Sequence, residues 1–291
     1  MFDGFESRRV QGADAEIFLR VAGSGPPVLL LHGYPQTHVN WHRVAPALAP
    51  RFTVVCPDLR GYGDSTGPAS DASHLPYSKR AMAQDMVEVM GRLGFERFAV
   101  VGHDRGGRVA YRLALDHPGA VTRLAVLDMV PTLETWERTD MARALSSFHW
   151  QLLAQPAPFP ETLIGHDPDF FLAWMLRSWA APGFTFAPEA MDAYRAAFRK
   201  SSVIHGTCEC YRAGATVDPT HDAEDRKAGR RIVCPVLSVW GSAGRGPSKL
   251  TFADIWRRWA DDVSGAPLPC GHFIPEEAPD ELLGRLRPFL G

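Results

Sequence analysis

The chain has 291 residues, a length that fits one large domain or one domain carrying a sizeable insertion. Hydrophobic residues make up 45% of it and charged residues 22%, which is typical of a globular protein and excludes a disordered or fibrous one. With 31 Lys and Arg against 33 Asp and Glu, the net charge of -2 provides no basic field for nucleic acid, so we expect no nucleic-acid partner.

The cysteines and the first residues of the chain indicate a cytoplasmic protein. Five scattered cysteines, an odd number, favour a reduced chain over a disulfide framework. Cys208 and Cys210 form a C-x-C pattern without the further ligands of a zinc site, so we expect no metal. The N-terminal segment carries acid where a signal peptide is basic, and no apolar run approaches the ~20 residues of a membrane span. We therefore expect neither secretion nor membrane insertion.

Five short apolar runs bounded by turn residues are typical of buried parallel strands. They lie at 26–31, 52–56, 98–102, 124–128 and 235–240. Apolar residues recur at helical spacing over 79–93 and 108–115. This alternation predicts an α/β fold with a mostly parallel central sheet and helices on both faces.

The alternation stops after residue 128. Between 131 and 230 there is no strand-like run, but there are many aromatic residues and several prolines. We predict an α/β core formed by 1–130 and 231–291, interrupted by an inserted helical cap at 131–230. The alternative for the insertion is an all-helical domain without a catalytic role.

Residues 102–106 have the pattern of a nucleophile elbow, in which small residues flank a reactive side chain between a strand and a helix. Gly102 and Gly106 permit the tight turn, which raises Asp104 at the carboxyl end of the sheet, where open α/β folds bind ligands. A carboxylate is charged at neutral pH and attacks an sp3 carbon without a base, giving an ester. Asp104 is therefore the candidate nucleophile; the alternative is an aspartate that only caps the following helix.

Two further loops complete the predicted machinery. Residues 32–35 follow the strand at 26–31, a position that provides one oxyanion-hole N–H in elbow hydrolases. The backbone amides of Tyr34 and Arg105 are the expected donors. His272, which lies near the C-terminus after the last strand-like run, is the expected base that activates water.

The acid that orients His272 is identified by exclusion. It often follows the strand after the cap, but no Asp or Glu lies between Arg226 and Ala253. The end of the preceding strand provides Asp128. We assign Asp128 to orient His272 and to stabilise its protonated form.

Arg105 and Arg108, both at the start of a predicted helix, point to an anionic substrate. Two guanidinium groups at a helix N-terminus form a strong anion site, and they offset the repulsion between the Asp104 carboxylate and an anion. The interpretation is a small carboxylate-bearing substrate. The alternative for Arg108 is an ordinary solvated helix residue.

Three residues of the predicted cap are candidate halide donors, namely His149, Trp150 and Tyr211. Each can donate one hydrogen bond to an anion while packing an apolar wall. If the leaving group is a halide, such donors stabilise the departing charge. The alternative is that they are core aromatic residues.

Taken together, these residues resemble the haloacetate dehalogenases, including the fluoroacetate dehalogenases, which have the α/β-hydrolase fold. The resemblance covers nearly the whole chain, and its distinctive stretches are 32–38, 103–108, 127–132, 149–150, 155–158, 167–171, 211–213 and 271–273. The specific part is the Asp-Arg-x-x-Arg motif at 104–108 together with His-Trp at 149–150 and the tyrosine at 211.

The resemblance implies a reaction in which Asp104 displaces halide from a haloacetate with inversion at the carbon. Water activated by His272, with Asp128 behind it, then hydrolyses the ester to glycolate. The resemblance also implies binding roles for the substrate carboxylate (Arg105, Arg108), the halide (His149, Trp150, Tyr211) and the pocket wall (Trp179). It implies no cofactor and a homodimer.

One residue departs from the resemblance. Tyr34 stands where relatives often have Phe, which adds a hydroxyl near the oxyanion hole and bears on the halide or substrate preference.

Three other functions are alternatives to haloacetate dehalogenation. An epoxide hydrolase also uses an Asp elbow and needs two cap tyrosines, for which Tyr194 and Tyr211 are available, but it leaves the arginine pair without a purpose. A haloalkane dehalogenase usually has Trp after the nucleophile, where this chain has Arg105. A non-catalytic member of the fold is expected to lack a catalytic group, whereas all three can be assigned here.

Overall fold

A computed structural model describes residues 1–243 and 250–291. In this part of the chain, eight strands form one sheet in the order β1-β2-β4-β3-β5-β6-β7-β8. The strands are β1 Glu6–Gln11, β2 Glu16–Ala22, β3 Pro27–Leu31, β4 Thr53–Pro57, β5 Phe98–His103, β6 Val121–Leu127, β7 Val236–Gly241 and β8 Val263–Leu268. Strands β3 to β8 pair in parallel, and β1 and β2 are antiparallel at one edge. The five predicted strands correspond to β3–β7.

Fourteen α-helices occur in the same described residues. They are α1 Ala45–Leu48, α2 Lys79–Arg92, α3 Arg105–Asp116, α4 Thr132–Glu137, α5 Met141–Ser146, α6 His149–Leu153, α7 Phe159–His166, α8 Pro168–Trp179, α9 Pro188–Phe198, α10 Ser201–Ala215, α11 Val217–Lys227, α12 Phe252–Trp256, α13 Ile274–Glu277 and α14 Pro279–Leu290. Short 3-10 helices cover His38–Trp41 and Leu75–Tyr77.

The central strands are buried on both faces because helices cover each side of the sheet. In β3, Leu29 and Leu31 pack in one apolar cluster with side chains of α2 and α3. The alternate residues, Val28 and Leu30, pack in a second cluster with side chains of α1 and α14. Since successive side chains of a strand point to opposite faces, the two clusters lie on the two sides of the sheet. This is the layered α/β architecture that the sequence predicts.

Helices α4–α11 all lie between β6 and β7, and we call them the helical segment. Its apolar side chains join the same cluster as β3 and α3, so it packs directly on the sheet layer. At Gly206 of α10 the approach is backbone to backbone, because a Cβ there would lie 2.5 Å from the carbonyl oxygen of Gly61. Only glycine fits such a contact without displacement.

The state of the cysteines and the length of the helices are two further features of the fold. All five cysteines are buried and free. Within residues 1–243 and 250–291, no helix is both long enough and apolar enough to cross a membrane.

Candidate active site

Asp104 lies between the end of β5 and the start of α3, with φ 47° and ψ -112°. A non-glycine residue rarely adopts this left-handed backbone, and strain of this kind is typical of a nucleophile elbow. The flanking glycines are required here, since a Cβ at Gly106 would lie 2.3 Å from the carbonyl oxygen of Leu31. Although Asp104 is at the N-cap position, its side chain makes no capping hydrogen bond. The helix-capping alternative is therefore not what the structure shows.

The Asp104 carboxylate is buried and held ionised by its surroundings. The backbone N–H of Tyr34 donates to Oδ1 at 3.0 Å. Burial raises the pKa of Asp104, but the charges of His272 and Arg105 outweigh that effect and hold the pKa well below its ordinary value. An ionised carboxylate of this kind can act as a nucleophile.

His272 lies between two carboxylates. Its Nδ1 is 2.6 Å from Oδ2 of Asp128, and its Nε2 is 3.9 Å from Oδ2 of Asp104. Asp128 follows the end of β6, and its Oδ1 accepts a hydrogen bond of 3.1 Å from the N–H of Gly241 at the end of β7. A side chain from β6 thus reaches the end of the neighbouring strand, which brings the predicted nucleophile, base and acid together.

The protonation of His272 depends on these carboxylates. Burial lowers the pKa of His272, but the hydrogen bond with Asp128 and the charges of Asp128 and Asp104 outweigh it, so that the net shift is upward. Loss of the charge on Asp104 would therefore bring the pKa of His272 down.

Arg105 is a fully buried guanidinium beside the Asp104 carboxylate. Its Cζ lies 3.4 Å from the ring centroid of Tyr211 and 4.5 Å from that of Trp150. Among the described residues, none accepts a hydrogen bond from its Nε, Nη1 or Nη2. A buried cation with unsatisfied donors is costly in free energy unless an anion binds it. The site is thus suited to an anionic ligand.

Arg108 also contacts this indole, with Cζ 4.5 Å from the ring centroid of Trp150. Its Nη1 donates to the carbonyl oxygen of Val130 at 2.8 Å. Burial and the neighbouring charge of Arg105 lower the pKa of Arg108 to about 10, so it remains a cation at neutral pH. The solvated-helix alternative for Arg108 does not fit a side chain that is 3% exposed.

The predicted halide donors lie together in an aromatic cluster. The ring centroid of Tyr211 is 5.6 Å from those of both His149 and Trp150. The Tyr211 hydroxyl is buried, and within the described chain no group hydrogen-bonds to it. Trp179 is half-buried, with its ring centroid 4.4 Å from that of His149. Tyr34 also belongs to the cluster, and its ring centroid is 5.2 Å from that of Tyr211.

A cavity of about 130 Å³ lies between Asp104 and the aromatic cluster. Its walls include seven of the predicted site residues, namely Asp104, Arg108, Asp128, His149, Trp150, Trp179 and His272. Arg105 and Tyr211 adjoin these walls through their contacts with Trp150. Several lining residues were not predicted from the sequence, among them Arg143, Ser147 and Phe252. No local sequence pattern marks Arg143 as a site residue.

Tyr194 lies apart from this lining. Its hydroxyl is 3.1 Å from Oε2 of Glu276, to which it donates, and it accepts from Nε2 of Gln36 at 3.1 Å. Its single hydroxyl hydrogen is therefore used within the protein. The two-tyrosine arrangement that the epoxide hydrolase alternative needs is not formed by Tyr194 and Tyr211.

Comparison with known proteins agrees with this geometry. A family model for the alpha/beta hydrolase fold matches residues 26–279. The chain belongs to the α/β-hydrolase family. This hydrolase is 48% identical over 291 residues to a fluoroacetate dehalogenase of Burkholderia sp, with 100% of this chain and 95% of the relative covered. It is 35% identical over 262 residues to a soluble epoxide hydrolase of Corynebacterium sp. (strain C12), with 89% and 87% covered.

Solved structures give the same result. The crystal structure of a putative alpha/beta hydrolase from Nostoc sp superposes with a TM-score of 0.97 at 53% identity, covering 100% of this hydrolase and 99% of that chain. These comparisons confirm the predicted fold class and the resemblance to haloacetate dehalogenases.

Proposed function

We propose that this hydrolase removes the halogen from haloacetates, converting fluoroacetate or chloroacetate to glycolate and halide. The observation that carries the proposal is the buried Arg105 guanidinium, which has no hydrogen-bond acceptor among the described residues and lies beside an ionised Asp104. A carboxylate nucleophile next to an anion site is what a substrate with its own carboxylate needs. The 48% identity to a fluoroacetate dehalogenase supports the same reaction.

The first step is displacement at the halogen-bearing carbon. Because the Tyr34 amide holds Oδ1 of Asp104, Oδ2 is the oxygen that attacks. The new C–O bond forms as the C–halogen bond breaks, and the electron pair of that bond leaves with the halide. Arg105 and Arg108 hold the substrate carboxylate meanwhile, which fixes the carbon for back-side attack and inverts it.

The departing halide needs hydrogen-bond donors in a site that excludes water. The ring centroids of His149 and Trp150 each lie 5.6 Å from that of Tyr211. His149, Trp150 and Trp179 form part of the cavity wall. Donors that are already in place stabilise the growing negative charge without reorganisation.

The second step is hydrolysis of the ester. His272 removes a proton from water, and the water oxygen attacks Cγ of Asp104. The backbone amides of Tyr34 and Arg105 stabilise the oxyanion, and Asp128 stabilises the imidazolium. Esterification removes the charge of Asp104, which takes away one of the effects that raise the pKa of His272 and so favours the neutral imidazole at the step that needs a base. Collapse of the tetrahedral intermediate breaks the Cγ–Oδ2 bond, so that glycolate leaves with Oδ2 and takes a proton from the His272 imidazolium. The remaining proton of the attacking water is released, and the Asp104 carboxylate is restored with the water oxygen.

Epoxide hydrolysis is the second candidate, because the Corynebacterium sp. relative is named as a soluble epoxide hydrolase and the same nucleophile, base and acid serve that reaction. The engaged hydroxyl of Tyr194 weighs against it.

We also propose how the chain is organised around the site. Residues 131–230 form a cap over a core of 1–130 and 231–291, since His149, Trp150 and Tyr211 all come from the helical segment. Two pairs of exposed apolar residues, each one helical turn apart, support a homodimer. They are Phe159 with Leu163 on α7, and Phe170 with Trp174 on α8. Five free cysteines support a cytoplasmic location. The steps above use no cofactor.

The test is release of halide and glycolate from fluoroacetate and chloroacetate, with the Asp104→Asn variant in parallel and an epoxide as counter-substrate. Release from both acids that the variant loses establishes a defluorinating haloacetate dehalogenase. Release from chloroacetate alone keeps the mechanism and restricts the substrate. Diol from the epoxide without any halide release overturns the proposal.

A further inference from the structure

The guanidinium of Arg108 is held by Val130, which precedes α4, and by two threonines of α4. Nη1 lies 2.8 Å from the carbonyl oxygen of Val130 and 3.3 Å from Oγ1 of Thr132, and Nη2 lies 3.2 Å from Oγ1 of Thr135. These contacts use three of its five N–H hydrogens and leave Nε–H and one Nη2 hydrogen for a ligand. The orientation of Arg108 toward the cavity therefore depends on where these acceptors sit.

Thr132 is in turn fixed by a tyrosine of the core. The hydroxyl oxygens of Tyr111 and Thr132 are 3.2 Å apart, and the backbone N–H of Thr132 donates to the Tyr111 hydroxyl at 3.1 Å. The Tyr111 hydroxyl is 2.8 Å from Oδ2 of Asp222, a residue of α11. Thr132, Tyr111 and Asp222 are each no more than 1% exposed, so water does not compete for these hydrogen bonds.

The number of hydroxyl hydrogens determines which group donates in each of these hydrogen bonds. Tyr111 has one hydroxyl hydrogen, and the Asp222 carboxylate can only accept, so that hydrogen is donated to Asp222. The hydroxyl of Thr132 is then the donor to Tyr111, which leaves the oxygen of Thr132 to accept from Arg108. Asp222 also accepts from Nη2 of Arg112 at 2.7 Å and from the N–H of Leu133 at 3.0 Å. The hydrogen bonds that link Arg108, Thr132, Tyr111 and Asp222 are thus all donated in the direction of the Asp222 carboxylate.

We infer that Asp222 and Tyr111 are positioning residues for the substrate carboxylate, acting through Thr132 on Arg108. This inference rests on the proposed function, in which Arg108 binds that carboxylate. It follows that the packing of α11 against α3 affects binding of the substrate carboxylate, although Asp222 does not contact the substrate. The halide cluster is outside this chain of hydrogen bonds.

The test compares acetate, which probes the carboxylate site, with bromide, which probes the halide cluster, in the full-length protein. Binding of each is measured by calorimetry, which does not depend on turnover. Tyr111→Phe removes only the hydroxyl, and we expect it to weaken acetate binding by about two- to tenfold, the range for loss of one hydrogen bond, while bromide binding is unchanged. Thr132→Val should do the same, and Thr132→Ser should retain acetate binding.

Tyr194→Phe is the matched control, because Tyr194 is also a buried tyrosine whose hydroxyl donates to a carboxyl group, that of Glu276, on another element. It should leave acetate binding unchanged. Equal acetate affinity in Tyr111→Phe and the unchanged protein overturns the inference while leaving the proposed function intact, as does an equal loss of acetate and bromide binding. Absence of acetate binding by the unchanged protein overturns both. If Tyr111→Phe does not fold, the Thr132→Val and Thr132→Ser pair decides the matter.

Discussion

Glu276 is a buried carboxyl whose titration should make the stability of the protein fall as pH rises. It is 2% exposed, and its Oε2 accepts hydrogen bonds from Tyr194 and Gln36. Burial raises the pKa of Glu276 to about 8, against the opposing effect of these two hydrogen bonds. In the unfolded chain the carboxyl has its ordinary pKa of 4.5. The folded state therefore holds one more proton than the unfolded state between these values.

The size of the effect follows from the shift. Each pKa unit is about 1.4 kcal/mol, so the free energy of unfolding falls by up to about 5 kcal/mol from pH 4.5 to pH 8 through this group. Glu276→Gln keeps the shape and an acceptor oxygen for Tyr194 but has no titration. Its free energy of unfolding, relative to that of the unchanged protein, should rise by several kcal/mol across the same range, on the order of the full linkage value.

Urea unfolding at a series of pH values from 5 to 8.5 measures this difference, because subtraction cancels the titration of groups that both proteins share. Glu281→Gln, which removes an exposed carboxyl of α14, is the control and should leave the pH slope unchanged. Parallel stability curves for Glu276→Gln and the unchanged protein would refute the reasoning. They would mean that Glu276 is ionised in the folded state throughout.

Three further predictions concern the reaction and the packing. His272→Gln should release about one equivalent of halide and then stop, since the ester on the nucleophile is no longer hydrolysed; mass spectrometry should detect the glycolyl adduct. Arg143→Gln should lower kcat/KM for chloroacetate by about tenfold at low ionic strength and by less at high salt, whereas Arg143→Lys should retain it, because a cavity-lining cation attracts an anionic substrate. Gly206→Ala should lower the free energy of unfolding by about 1–3 kcal/mol, because its Cβ meets backbone at 2.5 Å. Gly284→Ala, which meets nothing within 4 Å, should be neutral or slightly stabilising in the same denaturant titration.

The sequence predicts best the strands that are buried on both faces. β3 to β7 read as apolar runs because neither side of them meets water. β1 and β8 were missed for the opposite reason: they are edge strands, most residues of β1 are exposed, and β8 contains small and polar residues. β2, which lies between β1 and β4, was not predicted either. Its side chains alternate between buried and half-buried over its first residues, so it has no continuous apolar run.

The candidate site also contains residues that the sequence predicts and residues that it does not. Asp104 and His272 are predictable because the elbow and the late loop have local sequence patterns. Asp128 required exclusion of the loop after β7, and the structure brings it to His272 as that reasoning expects. Arg143 has no such pattern, since it lies on a short exposed helix that reaches the cavity only through tertiary packing. The contact between Tyr111 and Asp222 joins residues far apart in sequence and has no local signature.

The location of Asp128 directly after β6 has a consequence for how new substrate preferences can arise. In the proposed mechanism the acid, Asp128, comes directly after β6. The end of β7 contributes a backbone N–H at Gly241, and Ala243 and Phe252, which follow β7, contribute cavity-lining side chains. Substitution of Ala243 and Phe252 can therefore reshape one wall of the cavity without removing a group to which the proposed mechanism assigns chemistry. In laboratory evolution, these two positions are the ones to diversify when the aim is a larger haloacid and the proposed hydrolytic machinery must be retained.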